Sequence, residues 1–144
     1  MGRDEFVGTW NLVSFESRQS DGQIIHPFGR DVVSVISYDV RGNMSVQLMR
    51  SDRPAFATSD FQKGAPVETK AAFEGFLAYF GTYEIDEEEG TVTHHVKGSS
   101  FPNWVGSDQV RFFEFSGNRL RLRTPSIQVG GIAATSIMTW EGMA

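Results

Sequence analysis

From residue 7 onward the chain repeats one pattern: a short run of β-branched and aromatic residues, then a turn. Alternation of apolar and polar residues with period two marks strands with one buried face. The first run, residues 7–17, sets Trp10, Leu12 and Val13 among polar neighbours, and Asp21-Gly22 supplies a turn after it. Residues 32–39 are rich in Val, Ile and Tyr. Arg41-Gly42-Asn43 returns the chain into residues 44–50, where Met44, Val46 and Leu48 alternate with Ser45 and Gln47. Runs at 81–86 and 91–97 flank the acidic turn Glu87-Glu88-Glu89-Gly90. Runs at 109–115 and 119–124 flank Gly117-Asn118, and a last run, 134–140, follows Gly130-Gly131.

The middle of the chain differs. Residues 51–64 are polar and irregular, and helix formers follow Pro66. Pro66 suits a first helical turn, and Glu68 near that end favours the helix dipole. Phe73, Phe76, Leu77 and Phe80 fall at i, i+3, i+4 and i+7, which predicts one short helix near residues 66–78. An aromatic helix face in a β chain must cover something apolar, either the mouth or the end of a barrel. The expected fold is therefore mainly β: a single antiparallel up-and-down barrel of eight or nine strands with one short helix. Closing the meander removes exposed strand edges. The 144 residues fit one domain, 1–144, and eight strands are about wide enough to hold one small ligand.

Charge and composition narrow the partners. The net charge of −5 disfavours nucleic acid and anionic membrane surfaces. The one arginine-rich stretch, residues 119–123, alternates Arg with Leu and reads as one strand face. The absence of cysteine excludes disulfides, thiolate metal sites and a Cys nucleophile. No apolar run is long enough for a signal peptide or a membrane span, so the expected location is the cytoplasm. No cofactor motif is present in usable context, and none is expected.

His94 and His95 are neighbours and must point to opposite faces of a strand. Val92 and Val96 share the His94 face, which turns His94 inward and His95 outward. An interior His94 is either a core histidine bonded to a backbone group or a Tyr hydroxyl, or a polar anchor or acid–base group of a pocket. With three His in all and His26 on a separate loop, no metal site is expected. Arg111 and Glu114 have opposite parity on one strand, and both faces carry Phe, so parity leaves open which of them points in. A buried Arg111 would need a partner, from Glu84, from Glu114 through a bulge, or from a ligand carboxylate. Tyr79 and Tyr83 share a face, and Tyr38 is the third polar-tipped aromatic. Trp104 sits in an aromatic loop, residues 99–106, either as a flap over a mouth or as a plug.

Several segments, taken in order, resemble the lipocalin-like domain family of small intracellular barrels. They are Gly8-Thr9-Trp10, Tyr38 with Gly42-Asn43-Met44-Ser45-Val46, Arg53-Pro54, and Tyr79-Phe80-Gly81-Thr82-Tyr83. His94, Pro102-Asn103-Trp104-Val105-Gly106, Gln109-Val110-Arg111, Arg119-Leu120-Arg121-Leu122 and Thr139-Trp140-Glu141 complete the set. The resemblance runs from about residue 6 to 141 and implies a barrel with an internal pocket. It also implies a basic residue packed across the first-strand tryptophan. Gly142 stands where the family usually carries Arg, which leaves that part to Arg121 or Arg123.

The functional expectation is an interior pocket for a small apolar or amphipathic molecule. Its candidate contacts are His94, Tyr38, Tyr79, Tyr83, Trp104, Arg111 and Glu114. Two alternatives stand beside it: a cofactor-independent isomerase, cyclase or hydratase using the same pocket, and a filled barrel acting as an interaction module. The enzyme reading needs convergent polar groups inside a ligand-sized cavity. Outward-facing Phe leaves a homodimer open.

Overall fold

The computed structural model describes residues 2–143. Eight strands close into a ring, each antiparallel to its neighbours. In ring order they are β1 (Gly8–Gln19), β3 (Val32–Tyr38), β4 (Asn43–Arg50), β5 (Phe76–Asp86), β6 (Thr91–Ser99), β7 (Asp108–Ser116), β8 (Arg119–Arg123) and β10 (Ile132–Gly142). β10 returns to pair with β1 from Trp10↔Gly142 to Gln19↔Ala134, which closes the barrel. Two short strands, β2 (Ile24–Ile25) and β9 (Ile127–Val129), extend the sheet beside β1 and β10.

Alternation decides what is inside. Ile36 and Tyr38, then Met44, Val46 and Leu48, then Tyr79 and Tyr83, then Val92, His94 and Val96 all turn inward. Leu120 and Leu122 are buried, while Arg119, Arg121 and Arg123, alternating with them, face solvent. The β3–β4 hairpin is fixed by Asp39, whose Oδ1 accepts N–H bonds from Arg41 (2.9 Å) and Asn43 (2.8 Å). Gly42 takes φ +91° in this turn, a conformation open to glycine at little cost.

The helix is shorter than its periodicity predicts. α2 spans Pro66–Glu74, and from Phe76 the chain is strand β5. Gly75 stops the helix, and Leu77 and Tyr79 then take register opposite Leu48 and Val46 of β4. The aromatic spacing fitted both periods, and the backbone ladder to β4 settles it: Leu77 and Tyr79 turn toward the interior, while Phe80 is 56% exposed. The helix start is held by Glu68, whose carboxylate accepts the N–H groups of Ala65 and Ala57, both at 2.9 Å.

A second difference lies at the N-terminus, where a short helix, α1 (Gly2–Phe6), precedes the first strand. Its last residue plugs one end of the barrel. Phe6 is fully buried and meets Tyr38, Phe113 and Phe115 edge-on at 5.0–5.1 Å. The Trp10 indole donates to the Phe6 carbonyl at 2.9 Å. Neither Arg121 nor Arg123 forms the expected basic plug across Trp10. Arg121 reaches out to Glu114 at 3.7 Å, and Arg123 lies over the Phe112 ring at 4.5 Å. Phe115 packs against Trp10 with ring centroids 6.1 Å apart, and Gly142 stands opposite Trp10 in the β1–β10 ladder.

Two substitutions test this packing. Phe6→Ala is expected to cost about 3 kcal/mol, read as a lower urea midpoint at unchanged slope. Gly81 sits at a bulge between β5 and β6, where a Cβ would lie 1.8 Å from the His95 carbonyl oxygen. Gly81→Ala must displace that backbone and is expected to cost at least about 2 kcal/mol, measured in the same way.

Candidate ligand-binding site

At the end opposite Phe6 the interior opens into a cavity of about 200 Å³. Most of its wall is aliphatic or aromatic: Ile36, Val46, Leu48, Leu77, Leu122, Met138 and Trp140. Phe15, Phe28, Trp104 and Ile127 also line it. Trp104 belongs to a 3₁₀ turn, Pro102–Trp104, and packs edge-on against Tyr79 at 5.6 Å. It therefore lies over the cavity from a connecting loop, as does Phe28, which packs on Phe15.

The polar part of the wall is built on β5, β6 and β7, with support from β3. His94 is 1% exposed and is flanked by two tyrosine hydroxyls. Tyr38 Oη lies 2.7 Å from Nε2, and Tyr79 Oη lies 2.7 Å from Nδ1. Burial pushes the His94 imidazole down to about 3, and the nearby positive charges of Arg111 and His95 push the same way. His94 is therefore neutral near pH 7, with one ring nitrogen donating and the other accepting. Burial raises both tyrosines above their ordinary value, so they stay protonated.

Arg111 is the charged member of the wall. It is 7% exposed; Nη1 donates to the Val110 carbonyl at 2.9 Å and Nη2 reaches Gln109 Oε1 at 3.5 Å. Among the described residues no carboxylate forms an ion pair with it. Trp140 adds an indole N–H that is buried with no acceptor among the described residues.

The structure thus brings Tyr79, His94, Trp104 and Arg111 to one cavity and places the other expected contacts elsewhere. Tyr38 supports His94 from the plugged end without lining the cavity. Tyr83 packs edge-on to Tyr38 and donates to the Asp39 carbonyl at 2.7 Å, which ties the hairpin to the barrel floor. Glu114 points outward, with its side chain 75% exposed near Arg121. The parity of β7 therefore resolves as Arg111 in and Glu114 out. No bulge at β7 brings Glu114 back, and Glu84 faces outward to His95. The cavity residues missed by sequence reasoning include Trp140, Met138 and Ser136, all inward on β10. The alternation of that strand carried the signal. Phe28 sits on a loop, where no periodicity speaks for it.

On the outer face, His95 bridges Asp108 (Nδ1, 2.7 Å) and Glu84 (Nε2, 2.6 Å). Asp108 and then Glu84 hold its imidazole above the ordinary value. Among the described residues no cluster of three His, Asp or Glu could hold a metal ion. No helix among them is long and apolar enough to cross a membrane.

An antiparallel eight-stranded meander enclosing a mostly apolar cavity is the architecture of ligand-enclosing barrels. The chain belongs to the lipocalin-like domain family, whose model matches residues 7–143. It is 34% identical over 105 residues to the 4'-hydroxy-3'-methoxypropiophenone carrier protein ppsC of Aspergillus oryzae (strain ATCC 42149 / RIB 40). That match covers 68% of this chain and 95% of that protein. A solved structure titled REP1-NXSQ fatty acid transporter matches over 98% of both chains, at 12% identity and a TM-score of 0.43, too distant to argue from.

The two adjacent histidines should titrate in opposite senses. The unfolded chain takes a proton at His94 near pH 6.5, and the folded chain refuses it until about pH 3. The stability His94 contributes near neutrality is therefore lost as pH falls from about 6.5 toward 3. His95 works the other way: its contribution is present below pH 6.5 and is lost as pH rises through its raised value. An NMR titration of the ring nitrogens should show His94 unchanged from pH 8 to about 4.5 and His95 titrating above about 6.5. A His94 midpoint near 6.5 would contradict the buried, neutral assignment.

Proposed function

We propose that this protein binds and carries one small, largely apolar molecule inside the barrel, with its polar end against Tyr79, His94 and Arg111. The observation that carries this reading is the largely apolar interior cavity with Tyr79, His94 and Arg111 in its lining. Size restricts the guest. An apolar cavity of about 150 Å³ accommodates benzene. The volume here, about 200 Å³, suits one substituted aromatic ring or an acyl chain of similar bulk. The relative named above is described as a carrier of an aryl ketone of that class, which supports the same scale of ligand. The aromatic residues over the cavity, Trp104 and Phe28, would cover a bound ring and shield it from water.

Burial of one ring, set against the loss of translational freedom, favours a dissociation constant on the order of 10 µM. Titration with propiophenone, followed by quenching of tryptophan fluorescence, measures it, because Trp104 and Trp140 both line the cavity. Val46→Phe places bulk in the cavity and is expected to weaken binding at least about tenfold with the circular dichroism spectrum unchanged. Absence of saturable quenching up to the ketone's solubility would rule the reading out. So would equal affinity in the filled variant.

A further inference from the structure

We infer that the polar wall of the cavity is built of hydrogen-bond donors, so that it selects ligands whose buried end is an oxygen acceptor bearing negative charge, a carboxylate or a phenolate. This rests on the proposed interior binding and specifies the chemistry of the ligand's polar end.

Three independent groups point the same way. The first is Arg111, whose guanidinium carries five N–H donors. One meets the Val110 carbonyl at 2.9 Å and another makes a long contact of 3.5 Å to Gln109. No described carboxylate forms an ion pair with it, although it is 7% exposed and lines the cavity. A buried cation without an anion is a costly arrangement that an anionic ligand would relieve.

The second is the Tyr38–His94–Tyr79 chain, whose direction follows from counting protons. The neutral ring has one N–H and one lone pair, so one tyrosine donates to it and the other accepts from it. The accepting tyrosine then has its own O–H left over. If Tyr38 accepted, its spare O–H would be buried beside the Phe6 and Tyr83 rings, away from the cavity. If Tyr79 accepts, its spare O–H belongs to a residue that lines the cavity. Buried donors without partners are disfavoured, so the chain runs Tyr38 O–H to Nε2 and Nδ1–H to Tyr79 Oη, and ends in a donor available to a ligand.

The third is the Trp140 indole N–H, which has no acceptor among the described residues and belongs to a side chain that lines the cavity from β10. Among the described residues no Asp, Glu, Asn or Gln lines the cavity. The aliphatic hydroxyls of Ser136 and Thr124 also line it, each already in one hydrogen bond: Ser136 Oγ lies 2.6 Å from Ser17 Oγ, and Thr124 Oγ1 accepts the Ser136 N–H at 2.9 Å. A ligand alcohol can accept from this wall but leaves Arg111 without an anion, and an ammonium meets Arg111 with like charge.

The test is a calorimetric titration of the full-length protein with four probes of one carbon skeleton: 3-phenylpropionate, propiophenone, 3-phenylpropan-1-ol and 3-phenylpropylamine. The carboxylate should bind at least about tenfold tighter than the alcohol, with the ketone between them and the amine weakest. Tyr79→Phe and Arg111→Met should each shrink the carboxylate–alcohol gap to within about threefold while ketone binding persists. Should Arg111→Met fail to fold, Tyr79→Phe and the native series decide. The ring tautomer of His94, read by nitrogen NMR, should be protonated at Nδ1. If the ketone binds but the alcohol or amine equals the carboxylate, the donor wall is refuted while interior binding stands. Protonation at Nε2 refutes the direction of the chain. Failure of all four probes to bind would overturn both readings.

Discussion

The pairing of β10 back onto β1 is the constraint on which the rest of this structure depends. An open meander of eight strands would leave two unpaired edges and a single apolar face with nothing to pack against. Closing the ring satisfies both edges and turns one face of every strand into a common interior. Period-two alternation then has a three-dimensional meaning: every second residue is sealed from water. Ionisable and polar groups such as His94 and Arg111 are buried because they occupy that parity, and their chemistry follows from it.

The two ends of the interior are treated differently. Aromatic edge contacts around Phe6 and the Trp10 hydrogen bond to its carbonyl fill one end. The other end is lined by side chains too few to fill it, and aromatic residues on loops cover the opening. Between the two lies a layer of buried polar side chains, the Tyr38–His94–Tyr79 chain and Arg111. Polar groups in such a place are tolerated only when bonded, and His94 has both nitrogens satisfied. Trp140 Nε1 has no acceptor among the described residues, and the Arg111 guanidinium donates to Val110 and Gln109 but to no described carboxylate.

Much of the architecture was legible in the sequence because strand signals are local. Turn residues such as Gly117-Asn118 and the alternation in residues 91–97 separate inside from outside without reference to any other strand, and they placed His94 in and His95 out. The reading failed where two periods fitted the same residues. Phe73 to Phe80 satisfied a helical spacing, yet backbone hydrogen bonding with β4 outweighed that preference beyond Gly75. The parity of residues 109–115 was undecidable for a similar reason, since Phe stands on both faces of β7 and only the register with β6 and β8 turns Arg111 inward.

The sequence by itself therefore determined the class of fold, the inward set on most strands and the absence of thiol chemistry. These follow from residue type and spacing along the chain. Only the tertiary structure decided that Tyr38 and Tyr79, 41 positions apart, grip opposite nitrogens of one histidine. It also decided that no described carboxylate pairs with Arg111, and that a space near 200 Å³ remains unfilled. Those properties depend on distances between strands that are remote in sequence, and these distances are set by closure and register of the ring as a whole.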